Sequence, residues 1–496
     1  MNAPRGMRRT GPQMRARVIG TALVALLACC AALALLLAGC AAVGPDHARQ
    51  ALVLPAQYPG ADASADAAGA PPQWWALYRQ PELDRLVAQA LERNRDLEQA
   101  AARVEQADAL AAQAGAALLP HVDLGASASR ARVSPLSIPP NGAAGNVYQL
   151  GLSASFEIDF WGRLRRGREA ARAELLASAY ARDTLQLTVA ALTTQAWIGL
   201  RSLDEQIGLT RATLGTREQG LRLLNLRLKS GTSSQLDVEQ AEGLRAASAV
   251  LLQELVRQRA LLQTQLGVIT GQLDLALPEA PLHGLPVPPQ PPAGLPAALL
   301  ERRPDVRTAE QQLAAASARI GVARAEQLPN ISLTGSFGFE SAVLGDLLKS
   351  PSRIWSVGVG LAQPLFDGGR LAARTDQAAA AHREAQGAYR GAVEDAFRDV
   401  ADALANAQAA RRSQADLESA DRAAATALRL AQSRYDAGYS GHLDLLDAQR
   451  SSAAAQLDLV RNRQAQLAAS VDLFRALGGG WQAAQSVTVG SRQDVR

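Results

Sequence analysis

From Asn146 to Leu164 the chain reads NVYQLGLSASFEIDFWGRL. Tyr148, Leu150, Leu152, Ala154, Phe156, Ile158 and Phe160 are apolar, and Gln149, Gly151, Ser153, Ser155, Glu157 and Asp159 fill the positions between them. Successive side chains of a strand point to opposite faces, so this period of two predicts a β-strand over 146–160 with one oily and one wet face. Three more stretches are predicted as strands: 121–133, 330–340 and 353–366. In the third, Ile331, Leu333, Phe337 and Phe339 alternate with Ser332, Thr334, Ser336 and Gly338. In the fourth, Trp355, Val357, Val359 and Leu361 alternate with Ser356, Gly358 and Gly360. The turn-rich segments SPLSIPPNGAAGN and LGDLLKSPSR join the strands of each pair, which predicts two hairpins.

Elsewhere the period lengthens. Leu200, Ile207, Leu214, Leu221 and Leu228 recur every seven residues, the spacing of coiled-coil packing. The helix carrying them is predicted over 165–229, about 95–100 Å at about 1.5 Å per residue. Ser230-Gly231-Thr232 breaks it, and a second helix returns to about residue 270; Ala437-Gly438 marks the same reversal further on. Shorter helices are predicted over 82–118 and 296–327, ended by Pro120 and Pro329. Helices this long suit a structure that bridges a gap rather than a compact globular domain.

The order helix, hairpin, long helical hairpin occurs twice because the chain is duplicated. LERNRDL at Leu91 returns as LERRPDV at Leu300, and LLPHVDLGAS at Leu118 returns as QLPNISLTGS at Gln327, both offset by 209. GRLRR at Gly162 returns as GRLAA at Gly369, and RLKSGTSSQLDV at Arg227 returns as RYDAGYSGHLDL at Arg434, both offset by 207. The first repeat covers 81–283 and the second 297–477, with the stiff proline-rich linker GLPVPPQPPAGLP over 284–296 and a tail over 478–496.

The oily faces need an environment. Two hairpins give four strands of 10–15 residues, and a tilted membrane-spanning strand needs about 9–11. Four strands cannot close a barrel, for which about eight is the working minimum. An open sheet in lipid leaves the amides of its edges unsatisfied. An oligomer that pools strands resolves this. Eight strands leave an interior that side chains fill, so a pore favours at least three chains, with oily faces to lipid and polar faces lining a lumen. The competing arrangement packs the oily faces on the chain's own helices.

Composition enters through the N-terminus. The formal net charge of +4 and a pI near 9.2 suggest a polyanion partner, but the charge is local. Arg5, Arg8, Arg9, Arg15 and Arg17 precede the apolar run Val18–Ala38 with no acid before it, which is the layout of a signal peptide over 1–39. Losing those five arginines takes the net charge from +4 to −1, so no nucleic acid is implied. The run ends in Leu37-Ala38-Gly39-Cys40, which resembles the bacterial lipobox, and Ala41 rather than Asp follows the cysteine, favouring the outer membrane. Cys40 is thus the expected lipidation site at the head of an extended segment over 40–80. Cys29 and Cys30 leave with the signal, so no disulfide framework remains. Acyl chains add about 0.8 kcal/mol per buried CH₂, a firm anchor when there are several.

The mature chain resembles the TolC-like outer membrane factors, and within them the OprM/NodT-like efflux outer membrane lipoproteins. CAAVGPDH from Cys40, WWALYRQPELDRLVAQAL from Trp74, RVEQADAL from Arg103, EIDFWGRLRR from Glu157 and PLFDGGR from Pro364 match that family's usual phrases, from Cys40 to about Ala476; His47 stands where Tyr is common. The resemblance implies an α+β membrane protein: a homotrimer whose four strands per chain make a twelve-stranded barrel, over a long periplasmic helical coiled-coil tunnel with an equatorial belt. It implies the exit duct of a tripartite efflux pump. Its partners would be a periplasmic adaptor (membrane fusion) protein, an inner-membrane RND-type transporter and outer membrane lipid.

Enzymatic chemistry is absent from the pattern. The five histidines are scattered, no Cys/His cluster has metal spacing, and the glycines of FDGGR read as a strand-to-helix turn. No cofactor is expected beyond the covalent lipid on Cys40. The informative residues sit at the helix reversals. Asp444 and Asp447 lie at i and i+3 on one helical face, and Asp237 is in register with Asp444. Around a three-fold axis they would form carboxylate rings that attract cations, and the resemblance puts the matching positions at the periplasmic gate. The same acids also read as solvated first-turn residues that favour the helix dipole. The reversals Lys229-Ser230-Gly231-Thr232 and Asp436-Ala437-Gly438-Tyr439 look like the family's adaptor-docking tips, while glycine there also simply ends a helix. Two other uses of the chain are a type I protein secretion channel, which the lipoprotein start disfavours, and a non-conducting periplasmic strut.

Overall fold

Alternation becomes strand and heptad spacing becomes helix nearly where the sequence places them. A computed structural model describes residues 42–49, 54–59, 71–132, 134, 136, 144–289 and 299–481. Cys40, the signal peptide, the second half of the proline-rich linker and the tail beyond Trp481 lie outside the described residues. The elements in order are α1 (Pro81–Arg93), α2 (Arg95–Ala116), β1 (His121–Arg132), β2 (Ala144–Ile158), α3 (Arg163–Lys229), α4 (Gln235–Thr270), α5 (Leu299–Arg302), α6 (Pro304–Ala325), β3 (Asn330–Ser341), β4 (Arg353–Ala362), α7 (Arg370–Asp436) and α8 (His442–Ala476).

Three boundaries differ from expectation, each for a local reason. The helix expected over 82–118 is two helices, because Asn94 leaves the helical conformation and its side chain caps α2: Oδ1 accepts from the amides of Asp96 at 3.0 Å and Leu97 at 3.2 Å. The helix expected over 296–327 breaks at Arg303, the counterpart of Asn94 in the second copy, where Pro304 opens α6. The strand expected over 353–366 stops at Ala362, since Pro364 has no amide to give a ladder.

The chain divides into two units. The first draws on Met1–Ala48, Ala107–Leu175 and Gln312–Ala385. It holds one four-stranded antiparallel sheet in the order β1-β2-β3-β4. The hairpin pairs Leu124 with Leu152 in the first copy and Leu333 with Val359 in the second. The two copies then join through β2 and β3, with Leu152 opposite Phe337. The segment after Cys40 is tied to this unit. The Val43 amide donates to the Trp161 carbonyl at 2.9 Å, and Arg166 reaches back to Asp46 at 2.6 Å. Gly44 meets Gly321 so closely that a Cβ on Gly44 would lie 2.5 Å from the Gly321 Cα.

The second unit draws on Arg49–Gln106, Leu176–Gln311 and Gln386–Arg496. Its core gathers Trp74, Tyr78, Leu83, Leu86, Trp197, Ile198, Leu200, Leu266 and Phe474, all buried. Trp74 and Tyr78 arrive on a short 3₁₀ turn, Trp74–Tyr78, and Trp74 stacks on Phe474 at 5.3 Å. Inside this core lies a satisfied ionic network. Arg201 pairs with Glu82 and Asp204, and Asp204 also accepts from Arg259 at 2.5 Å. The spare guanidinium donors reach the Pro278 and Leu277 carbonyls. Each buried charge here has partners, the condition under which burial is tolerated. No helix among the described residues is long and apolar enough to cross a membrane.

Candidate functional site

Along most of its length the sheet sorts its side chains into an apolar and a polar face. A line across the strands passes Leu124, Leu152, Phe337 and Trp355; the next passes Val122, Ala154, Gly335 and Val357. Both lie on one face, with Phe156, Ile158, Leu333, Val359 and Leu361. This face is open in the single chain: Leu124, Trp355, Val357, Val359 and Leu361 each keep 70% or more of their surface. The opposite face carries Ser127, Gln149, Ser153, Ser155, Thr334, Ser336, Glu340 and Ser356. Gln149 donates to Glu340 at 2.6 Å, and the Ser336 and Ser356 hydroxyls meet at 2.7 Å.

Two glycines meet on the polar face. Gly151 pairs with Gly338, and a Cβ built on Gly338 would lie 2.5 Å from the Leu150 carbonyl oxygen and 2.7 Å from the Gly151 Cα. No side chain fits between these backbones, and paired glycines of this kind let a sheet curl. The sheet has two unpaired edges among the described residues, the outer sides of β1 and β4. At its end, strand gives way to helix through aspartates. Asp159 accepts from the amides of Leu164 and Arg165, both at 2.9 Å, and Asp367 from those of Gly369 at 2.9 Å and Leu371 at 2.8 Å. FDGGR is therefore a strand-to-helix turn.

The second candidate region is the pair of helix reversals. They close identically. Thr232 N donates to Arg227 O at 2.8 Å and Gly231 N to Leu228 O at 3.0 Å; Tyr439 N donates to Arg434 O at 2.8 Å and Gly438 N to Tyr435 O at 3.0 Å. This is the Schellman closure, which needs a left-handed residue, and Gly231 and Gly438 supply it at φ 76° and 75°. Lys229, Ser230, Gly231 and Thr232 are exposed, as are Asp436, Ala437, Gly438 and Tyr439.

The three aspartates part company. Asp237 is held in a capping box: its Oδ2 accepts from Ser234 N at 3.0 Å, Ser234 Oγ at 2.8 Å and Ser233 Oγ at 3.1 Å, while its own amide donates to Ser234 Oγ. The Ser234 side chain, first, holds this carboxyl below the usual aspartate range, and the nearby His442 acts in the same direction. Asp444 is exposed in the first turn of α8. Asp447 is exposed one turn on and pairs with Arg450 at 2.6 Å.

Packing adds a cluster that sequence spacing does not reveal. Arg227 of the first copy donates to the Tyr435 hydroxyl of the second at 2.8 Å, with its guanidinium 5.2 Å from the ring centre. His442 lies 5.3 Å from the same ring, half-buried, with neither ring nitrogen hydrogen-bonded. Tyr435 and His442 border a groove of about 250 Å³ between the two helical hairpins, lined also by Leu221, Leu224, Ala241 and Leu445. The one sequence signal is a departure from the repeat. Tyr435 and His442 stand where the first copy has Leu228 and Gln235.

The family model described as outer membrane efflux protein matches residues 86–272 and again 295–479, one match for each copy. Outer membrane protein OprJ of Pseudomonas aeruginosa is 35% identical over 456 residues, covering 91% of this chain and 95% of OprJ. The pyoverdine export outer membrane protein OpmQ of Pseudomonas putida is 38% identical over 418 residues, covering 83% and 88%. Among solved structures, the open state of the MtrE outer membrane channel of Neisseria gonorrhoeae superposes with a TM-score of 0.81 at 31% identity, covering 89% of this chain and 99% of MtrE.

Burial, first, depresses the basicity of His442; Asp237 opposes this and Arg227 adds to it. The folded tip thus holds the neutral ring. Its contribution to stability is present above the unfolded value of about 6.5 and is lost as pH falls through the lower folded value. Hydrogen-exchange protection of the α7–α8 reversal is expected to fall between about pH 7.5 and about pH 5. His442→Gln, the residue of the first copy, should remove that dependence. Equal protection at both pH values in the unmodified chain would refute the assignment.

Proposed function

The chain belongs to the outer membrane efflux protein family, and from this we propose that it is the passive exit duct of a tripartite efflux system. It would carry small molecules across the periplasm and outer membrane as a homotrimer with a twelve-stranded barrel. One observation carries the reading: a continuous apolar face across four strands, exposed in the single chain, on a sheet whose two edges are unpaired. Hydrocarbon is the solvent that such a face tolerates. The edge amides must then find strands from sister chains. The polar face becomes the wall of the lumen. A wall of serine, threonine, glycine and glutamine selects no particular substrate, so the choice falls to an inner-membrane RND-type transporter reached through a periplasmic adaptor. OpmQ, named for pyoverdine export, fits this class of task.

The tips serve the duct in two ways. Asp444 and Asp447 are free to face a three-fold axis as carboxylate rings at the periplasmic gate; Asp237, spent on its cap, sets the backbone of the neighbouring helix and adds its charge from there. The exposed reversals 229–232 and 436–439 are the adaptor-docking tips. The lipid on Cys40 anchors the chain beside the sheet, because Val43 and Asp46, three and six residues on, are fastened to the unit that contains it.

Three experiments test these points. In detergent the chain is expected as a trimer by native mass spectrometry, and in planar bilayers as a cation-preferring channel. Asp444→Ala with Asp447→Ala should weaken cation preference and cation block. A monomer without conductance overturns the duct, and unchanged selectivity overturns the gate alone. Gly438→Val forces a β-branched residue into the left-handed region at about 1–2 kcal/mol and should abolish export and adaptor capture while trimers persist; loss of the trimer would show the glycine to be structural only. Cys40→Ser should no longer incorporate labelled palmitate, and equal labelling would refute lipidation at that residue.

A further inference from the structure

Register places every histidine, aspartate, glutamate and arginine of the four strands on one face or the other. His121, Asp123, Glu157 and Glu340 fall on the polar face. Arg130, Arg132 and Arg353 fall on the apolar one, in line with Val122, Leu124, Trp355 and Val357. The sheet thus turns its carboxylates to one side and its guanidiniums to the other.

The three arginines also share an end. β1 starts at His121 beside the helices and closes on Arg130 and Arg132, while β4 opens on Arg353 and runs toward them as far as Ala362. All three therefore lie at the hairpin-loop end of the sheet. The chain after Cys40 is fastened at the opposite end, where Val43 meets the Trp161 carbonyl just past β2 and Asp46 meets Arg166. In the duct reading the helices and the lipid anchor mark the periplasmic side, so the arginines stand at the outer leaflet. A membrane-spanning strand needs about 9–11 residues. Counted from the helix side, Arg130 is the tenth residue of β1 and Arg353 the tenth of β4. Both guanidiniums come where hydrocarbon gives way to headgroups, the depth at which a cation on a lipid face is tolerated.

No carboxylate of the strands shares that face. Between Leu124 and Phe156 the sequence has no aspartate or glutamate at all. Lys349, in the second hairpin loop, is already paired with Asp346. Arg130 and Arg353 are exposed. Tyr148, opposite Ala128, and Trp355, two residues from Arg353, lie near them on the same face, and such amphipathic rings suit a headgroup boundary.

We propose that Arg130, Arg132 and Arg353 bind the phosphates of outer-leaflet glycolipid. A cationic cluster on a lipid-facing surface is met by anions that the lipid itself supplies. The guanidinium fork grips two phosphate oxygens at once, which a lysine ammonium does not. Arg130 and Arg132, two residues apart on one face, stand about 7 Å from each other along the strand, close enough for one headgroup to engage both. The inference rests on the duct reading, which puts this face in the membrane, and adds a ligand that the reading does not contain.

Native mass spectrometry of the full-length trimer tests it. The probes are purified lipopolysaccharide and the same lipopolysaccharide after phosphatase treatment. The unmodified chain should retain the phosphorylated form and release the dephosphorylated one. Arg130→Gln/Arg132→Gln/Arg353→Gln should retain the phosphorylated form at least about tenfold less, because one hydrogen bond to a charged group is worth about that factor or more. Arg411→Gln/Arg412→Gln, exposed on α7, should retain it fully. Inorganic phosphate should displace no more lipid than chloride of equal ionic strength. Equal retention of the two probes, undiminished retention by the triple variant, or displacement by inorganic phosphate overturns the lipid site, and persistent trimers that conduct then leave the duct standing. The probe comparison uses the unmodified chain, so it decides the matter even where the triple variant fails to assemble. An unmodified chain that is monomeric and does not conduct overturns both.

Discussion

A peptide group that faces hydrocarbon with no partner is among the most costly features a chain can carry, and in the proposed setting the two open edges of this sheet are rows of them. Its apolar face rules out water on one side, and its small number of strands rules out closure on itself. On the proposed reading, what remains is closure with copies of itself. Much of the chain can be understood as preparation for that event. Duplication supplies two hairpins with matching ladders, and the junction of β2 with β3 joins them into one sheet. Paired glycines on the polar face let the backbones of β2 and β3 approach closely.

The helical unit answers to a different constraint. Long helices gain little from a hydrophobic core of their own, and α3 shows it: Leu200 and Ile207 are buried while the later heptad leucines are only half-covered. The buried anchor is elsewhere, where Trp74 and Tyr78 dock against Phe474 and the Glu82–Arg201–Asp204–Arg259 network closes around them. Apolar burial there stabilises the unit and the saturated charges fix its register, since none of these ions can be left without its partner. At the reversals the copies use one backbone closure, but the second places an aromatic and an imidazole where the first has Leu228 and Gln235. The fold is symmetric and the tip chemistry is not: the imidazole and its aromatic neighbour belong to the second hairpin, and the serine-capped Asp237 to the first.

Periodicity alone disclosed all four strands and both helix reversals to within a few residues, because strand alternation and heptad spacing are local properties. What escaped was decided by single side chains or by distant segments meeting. Asn94 interrupts an alanine-rich pattern that continues on both sides, so only its cap bonds show the break. The Trp74–Tyr78 turn lies in a segment read as extended, since two tryptophans signal burial but not conformation. Arg227, Tyr435 and His442 become neighbours only through packing of the two hairpins. Asp237 was legible as a first-turn acid, and its Ser234 partner three residues earlier was a sequence signature of the box it forms. The pairing of β2 with β3 had no turn to announce it.

That last pairing shows what sets register in this sheet. The offset between copies changes from 209 to 207 between the first and second strand of each hairpin, so the connecting loop of the second copy is two residues shorter. The ladders do not notice: counterpart pairs with counterpart along both hairpins. A tight two-residue turn would dictate register by its geometry, but these loops are long and their length has drifted. Register here is instead carried by the faces. Sliding by one residue would turn most of a strand's leucines, valines and phenylalanines toward the polar side and most of its serines toward the oily side. Sliding by two would preserve the faces but separate Gly151 from Gly338, setting a side chain against a backbone that leaves it no room. The pattern of faces forbids odd slips along every ladder, and the crowded glycines forbid even ones between β2 and β3, the pair that no turn joins.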